Sequence, residues 1–260
     1  ASISIWLLVA VLVGKMLAMA ISLATGFIGG NVLPMLFVGG SAGVVGTTFL
    51  NSFEVPVDDF PSWHLLVGAA LGIASSVIMI VFVVIVKLIQ ALAAKLTNSY
   101  VRGAVGGALV GLIAFALPLT IGAGNDQLTT VIDESASISI WLLVAVLVAK
   151  MLAMAISLAT GFIGGNVLPM IFVGGTAGVV AHLMFPDIPD AIAVGSMLAA
   201  VPGATIKAPV GLTFIAVLAV GLGPLTAIPV FIAVATSYLT TSAVVGLIRS
   251  RRVEVAEPHA

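Results

Sequence analysis

The sequence holds no cysteine, only two tyrosines, and just 7% charged residues among its 260 positions. Without cysteine there is no disulfide, no thiolate metal site and no cysteine nucleophile. A net charge of −1 leaves no basic surface for nucleic acid. His64, His182 and His259 stand apart, with no partner at ligand spacing, so no metal or other cofactor is expected. No pair of aspartates lies inside an apolar segment. Ser41, in a glycine-rich run, has no histidine on a matching helix to act as its base, so an enzyme is not expected. The N-terminus lacks the basic region and cleavage site of a signal peptide and begins inside an apolar segment, the pattern of a fragment or a trimmed chain. Soluble domains carry about 25% charged residues. Here 61% of the residues are hydrophobic, and they come in blocks. The strands of a membrane β-barrel would alternate polar and apolar instead. The fold class that remains is all-α: a polytopic membrane protein with broken, tilted and half-length helices in a lipid bilayer.

What is present is a series of apolar runs with polar punctuation. Residues 3–24 are apolar apart from Lys15, about the length of one bilayer crossing. A shorter run follows over 32–50, then a polar loop over 51–63 with Glu54, Asp58 and Asp59. A long helix is predicted over 65–86 with a polar extension to Lys95, and a glycine-rich helix over 103–121, a composition that lets helices approach closely in lipid. Residues 122–135 read as a loop, with Asp126 in a solvated turn, and 185–190 as a turn. The stretch 191–248 is cut by Pro202, Pro209, Pro224 and Pro229 and reads as half-length or tilted pieces.

Residues 1–45 recur at 136–180 with three differences, Gly14/Ala149, Leu36/Ile171 and Ser41/Thr176. Identity this close means a recent duplication, engineering or the joining of sequence pieces. The division that follows is 1–50, the duplicated segment, and 51–260, the remaining membrane domain. At the centre of each copy lies Gly-Gly-Asn-Val-Leu-Pro: Gly29, Gly30, Asn31, Val32 and Leu33, and again Gly164, Gly165, Asn166, Val167 and Leu168. A glycine pair inside an apolar run predicts a helix broken at membrane depth, which is tolerated only where the backbone is buried or lines a cavity. The helix that restarts there aims its first N–H groups and the positive end of its dipole at the cavity, so an anion can be held without full charges. The bland alternative is a break made for packing. Lys15 and Lys150, each inside an apolar run, are possible electrostatic aids to an anion, or simply bond carbonyls of a neighbouring helix. Lys207 is a third possible electrostatic residue, read otherwise as a helix cap or a vestibule residue. Ser22, Thr25, Ser157 and Thr160 are expected to bond back to a carbonyl of the preceding turn. Lys87, Lys95, Arg102, Arg249, Arg251 and Arg252 are the basic flanks, so the positive-inside rule puts the 87–102 loop and the C-terminus in the cytoplasm.

From about Leu65 to Arg252 the order of features resembles the second inverted repeat of the CLC family of chloride channels and chloride–proton antiporters. The residues that carry it are Lys150, Thr160-Gly161, Gly164-Gly165-Asn166-Val167-Leu168-Pro169, Phe172-Val173-Gly174-Gly175 and Gly178, and then Met197 through Pro209 with Lys207-Ala208-Pro209. The resemblance implies a chloride ion at the N-terminus of the half-helix after Gly165, contacted by the N–H groups of Asn166 and Val167, and a homodimer formed through the helices around 191–221. Two elements of the family's first half, Gly-Ser-Gly-Ile-Pro and the gating-glutamate element, are not in this sequence, and no glutamate lies in an apolar segment. The expected function is therefore passive, channel-like anion transport, with a non-conducting structural piece of such a protein as the alternative. A carrier of larger solutes would need more polar side chains at membrane depth than this chain offers.

Overall fold

The structure, a computed structural model, describes residues 61–135, 137–162 and 164–256. The first copy of the motif lies outside the described residues, and with it Lys15, Ser22, Thr25, Gly29, Gly30, Asn31, Val32, Leu33 and Ser41. Among the described residues the chain is helical: α1 Trp63–Ala93, α2 Ser99–Ala116, a 3-10 turn Pro118–Thr120, α3 Asn125–Asp133, α4 Ile140–Thr160, α5 Val167–Met184, α6 Asp190–Gly203, α7 Pro209–Val220 and α8 Pro224–Ala256. Five of these, α1, α2, α4, α5 and α8, are long and apolar enough to cross a membrane, as a polytopic membrane protein requires.

Local chemistry sets the boundaries. Asn98 caps α2, its Oδ1 accepting from the N–H groups of Tyr100 and Val101 at 2.9 and 3.4 Å. Gly161, at φ +94°, ends α4 in the left-handed region that a side chain disfavours. Two expectations are corrected. The stretch 122–135 is not a loop throughout: α3 fills most of it, with Leu128 and Val131 turned into the core. Pro229 does not cut the last segment either. It lies in the second turn of a 33-residue helix, is fully buried, and its backbone packs on Gly68 of α1. In lipid, close packing by neighbours makes such an interior proline tolerable.

The core is organised around the short helix α6, whose residues Ile192 through Gly203 are all buried. Two half-turns of α5 press on it backbone to backbone. A Cβ on Gly174 would collide with the Met197 carbonyl, and one on Gly178 would lie 2.5 Å from the Val194 Cα. On the other side Ser237 of α8 donates its hydroxyl to the Ala200 carbonyl at 2.8 Å. Small residues and interhelical hydroxyl bonds are the means of association available where the solvent is itself apolar. Because α6 is consumed inside the subunit, it cannot supply the dimer contact expected of the 191–221 stretch. Only α7 within that stretch keeps an open apolar face, at Val210 and Leu218.

Candidate functional site

Helix α5 starts where the sequence pattern places the break. Its N-cap is Asn166 (φ −89°, ψ −12°), whose side chain makes no capping bond, and its first turn holds no acidic residue. The carbonyl of Asn166 accepts from Met170 at 3.1 Å, and Pro169 has no N–H to offer. The N–H groups of Val167 and Leu168 therefore belong to a helix start that the Asn166 side chain does not cap, next to the positive end of the dipole.

That helix start opens on a cavity of about 510 Å³. Gly164, Gly165, Asn166 and Pro169 form one wall, Thr120, Ile121 and Gly122 another, and Lys150 and Ser157 of α4 a third. A Cβ on Gly164 or Gly165 would meet nothing within 4 Å, so the glycine backbone faces open space. Lys150 is only 2% exposed, a burial that demands partners. Its Nζ donates to the carbonyls of Thr120 at 2.8 Å and Gly122 at 2.7 Å, and lies 5.0 Å from the centroid of the Phe172 ring. Phe172 in turn is seated under Gly124, a residue at φ +99° whose Cβ position would lie 2.8 Å from the ring. Two carbonyl dipoles that would repel an anion are thus engaged by an ammonium at the cavity wall.

The structure brings together Gly164, Gly165, Asn166 and Lys150. Val167 and Leu168 begin the helix, but their half-buried side chains are not part of the cavity lining. Lys207 is elsewhere: it stands exposed in the turn between α6 and α7, away from the cavity lining. The hydroxyls follow the local expectation, Ser157 donating to Ala153 at 2.9 Å and Thr160 to Ile156 at 2.8 Å. Thr120, Ile121, Gly122 and Phe162 line the cavity and were not legible as site residues. Their only sequence signal was their position at the edges of apolar runs.

The family model for the voltage gated chloride channel matches this chain twice, over residues 1–69 and 45–242. The chain belongs to that family, the CLC family. Among its curated relatives, a protein of Escherichia coli strain SMS-3-5 carrying the name "Putative ion-transport protein YfeO" is 27% identical over 166 residues. The protein of the same name from Escherichia fergusonii is equally similar, and that of Escherichia coli K12 is 26% identical. Each of these matches covers 62% of this chain and 39% of the relative, so the CLC chain described here spans about two fifths of the length of the relatives it matches.

Proposed function

We propose that this CLC chain contributes to passive transport of a monovalent anion, with chloride as the ion, by holding it at the N-terminus of α5. The observation that carries the reading is the uncapped start of α5, with no acid in its first turn, opening on a 510 Å³ cavity beside a buried lysine. Backbone N–H groups and a dipole attract an anion weakly enough for it to leave, which is what conduction needs. Lys150, with two of its three donors on the carbonyls of Thr120 and Gly122, adds positive potential at the cavity wall. Asn166 and Val167 supply the contacting N–H groups. The first copy, through Gly29, Gly30, Asn31, Val32 and Leu33, is a candidate for the same role by identity alone.

Charge and packing together support a cytoplasmic C-terminus. Helices α1 and α8 run in the same direction, Gly68 meeting Pro229 and Gly72 meeting Ala233. Their basic ends therefore share one membrane side, and the positive-inside rule makes it the cytoplasmic one. A second reading rests on length: a chain spanning 39% of its relatives is also what a non-conducting piece of such a protein would be.

Chloride efflux from proteoliposomes, with Gly165→Trp as the occluding variant, separates these readings. A Cβ at Gly165 meets nothing within 4 Å, so a large side chain can be introduced at the cavity wall without a clash at its root. Efflux above protein-free vesicles that Gly165→Trp abolishes is the expected result. Chloride binding by the native chain that Gly165→Trp removes, with no efflux, selects the non-conducting reading. Neither efflux nor binding overturns the anion-site assignment.

A further inference from the structure

Arg102 lies in the first turn of α2, on the same side of the protein as Lys87 and Lys95. Those two lysines are exposed, whereas the Arg102 side chain is half-buried. It rests against the end of α4: a Cβ on Gly161 would stand 3.9 Å from Arg102 Nη2. One turn further along α2 the two helices close up. A Cβ on Gly106 would collide with Thr160, and one on Gly107 would lie 3.7 Å from the tip of the Phe162 ring. Gly107 is also where the lining of the anion cavity begins on α2, and Phe162, Gly164 and Gly165 carry that lining past the end of α4. Gly165 is four residues from Gly161, a reach of at most about 14 Å. Arg102 therefore stands just beyond the lining on both helices, at the end of the cavity that faces the α1–α2 turn.

We propose that Arg102 selects the sign of charge that enters this cavity. An arginine beside a helix C-terminus ordinarily bonds its last carbonyls. This one does not: among the described residues its side chain has no ion pair and no hydrogen bond. Its Nε is enclosed without a partner, and the terminal nitrogens are the part of the guanidinium left open. No nearby carboxylate offsets the charge. Asp133 and Glu134 precede the far end of α4, and Asp187 and Asp190 lie past the far end of α5. Glu254 belongs to α8, which packs on α1, α6 and α7, whereas α2 packs on α4 and the 3-10 turn. A fixed cation at the mouth of a cleft with apolar walls concentrates anions there and repels cations. Lys150 carries the same sign at the inner wall, so an anion meets positive potential from the mouth to the start of α5. That chloride is the ion admitted rests on the function proposed above; the sign does not.

The absence of cysteine allows a direct test in the full chain, held in an uncharged detergent. Gly164→Cys places one thiol on the cavity wall, where a Cβ meets nothing within 4 Å. Its modification is timed with an anionic (sulfonate) and a cationic (trimethylammonium) methanethiosulfonate, each relative to the same reagent on a free thiol in solution. The ratio of the two rates cancels any change in ionisation of the thiol. At about 0.01 M ionic strength, where screening reaches ~30 Å, the anionic reagent should be favoured. Adding Arg102→Gln should slow it about two- to fourfold and speed the cationic reagent by a like factor. Arg102→Lys should keep the native ratio, and at about 1 M salt the variants should converge. A merely structural arginine would move both rates the same way. Gly111→Cys, on the α2 wall, repeats the measurement should Gly164→Cys misfold. An unchanged ratio in Arg102→Gln, a ratio insensitive to salt, or no reaction at either cysteine overturns the proposal. Chloride binding to the cysteine-free chain is measured beside it. A charge preference that Arg102→Gln lowers, with no chloride bound, upholds Arg102 and overturns the anion site; bound chloride with no charge preference does the reverse.

Discussion

Lys150 lies over the ring of Phe172, Nζ 5.0 Å from the centroid, with both side chains almost wholly buried. The lysine comes from α4 and the phenylalanine from α5, the helices on either side of the Gly164-Gly165 break. With the bonds to Thr120 and Gly122, this contact ties three segments into one wall of the cavity. Lys150→Met strands two carbonyls and is expected to destabilise the fold by about 1–3 kcal/mol. Equilibrium unfolding in detergent measures it. A double-mutant cycle with Phe172→Leu should return a coupling of about 0.5–2 kcal/mol. Additive effects would deny the contact any energetic weight.

Glycines in this protein divide by what stands over them. Gly174→Ala drives a methyl into the Met197 carbonyl, backbone that cannot step aside, and is expected to cost about 1–3 kcal/mol or more. Gly103→Ala and Gly111→Ala meet nothing within 4 Å and lie on a helix, so they should be neutral or stabilise by up to about 1 kcal/mol. Thermal unfolding of the three variants side by side would show opposite signs.

Ser237→Ala removes the hydroxyl that reaches from α8 to the Ala200 carbonyl. In a membrane core such bonds contribute about 0.6–2 kcal/mol, and that is the expected loss. Ser237→Thr keeps the donor and should recover part of it, provided the added methyl fits. Unfolding midpoints of the two variants, compared with the native chain, give the answer.

The lack of cysteine makes topology directly measurable. Thr97→Cys, in the turn after α1, should be shielded from a membrane-impermeant thiol reagent in intact cells and react once the membrane is opened. Asp187→Cys, in the turn between α5 and α6, should react from outside. The reverse pattern would invert the orientation inferred from the basic flanks.

Composition and periodicity determined the class of this protein by themselves. So few charges and such long apolar blocks leave only membrane helices, because a backbone in hydrocarbon must satisfy its own polar groups. The break at Gly164-Gly165 and the helix restarting at Asn166 were equally legible, since two glycines and a proline act locally. The tertiary structure decided what no local rule carries. Pro229 reads as a breaker, yet it sits inside a helix because Gly68 lets α1 pack against its backbone. Lys207 looked like a partner of the site and stands exposed in a turn outside it, whereas Thr120 and Gly122 looked like connecting chain and hold Lys150. The helix α6 lies where a dimer contact was expected and is instead the buried centre of the subunit. Hydropathy records how apolar a residue is, and in lipid a buried face and a lipid-facing one are apolar alike. Only the packing of small residues against particular neighbours tells them apart.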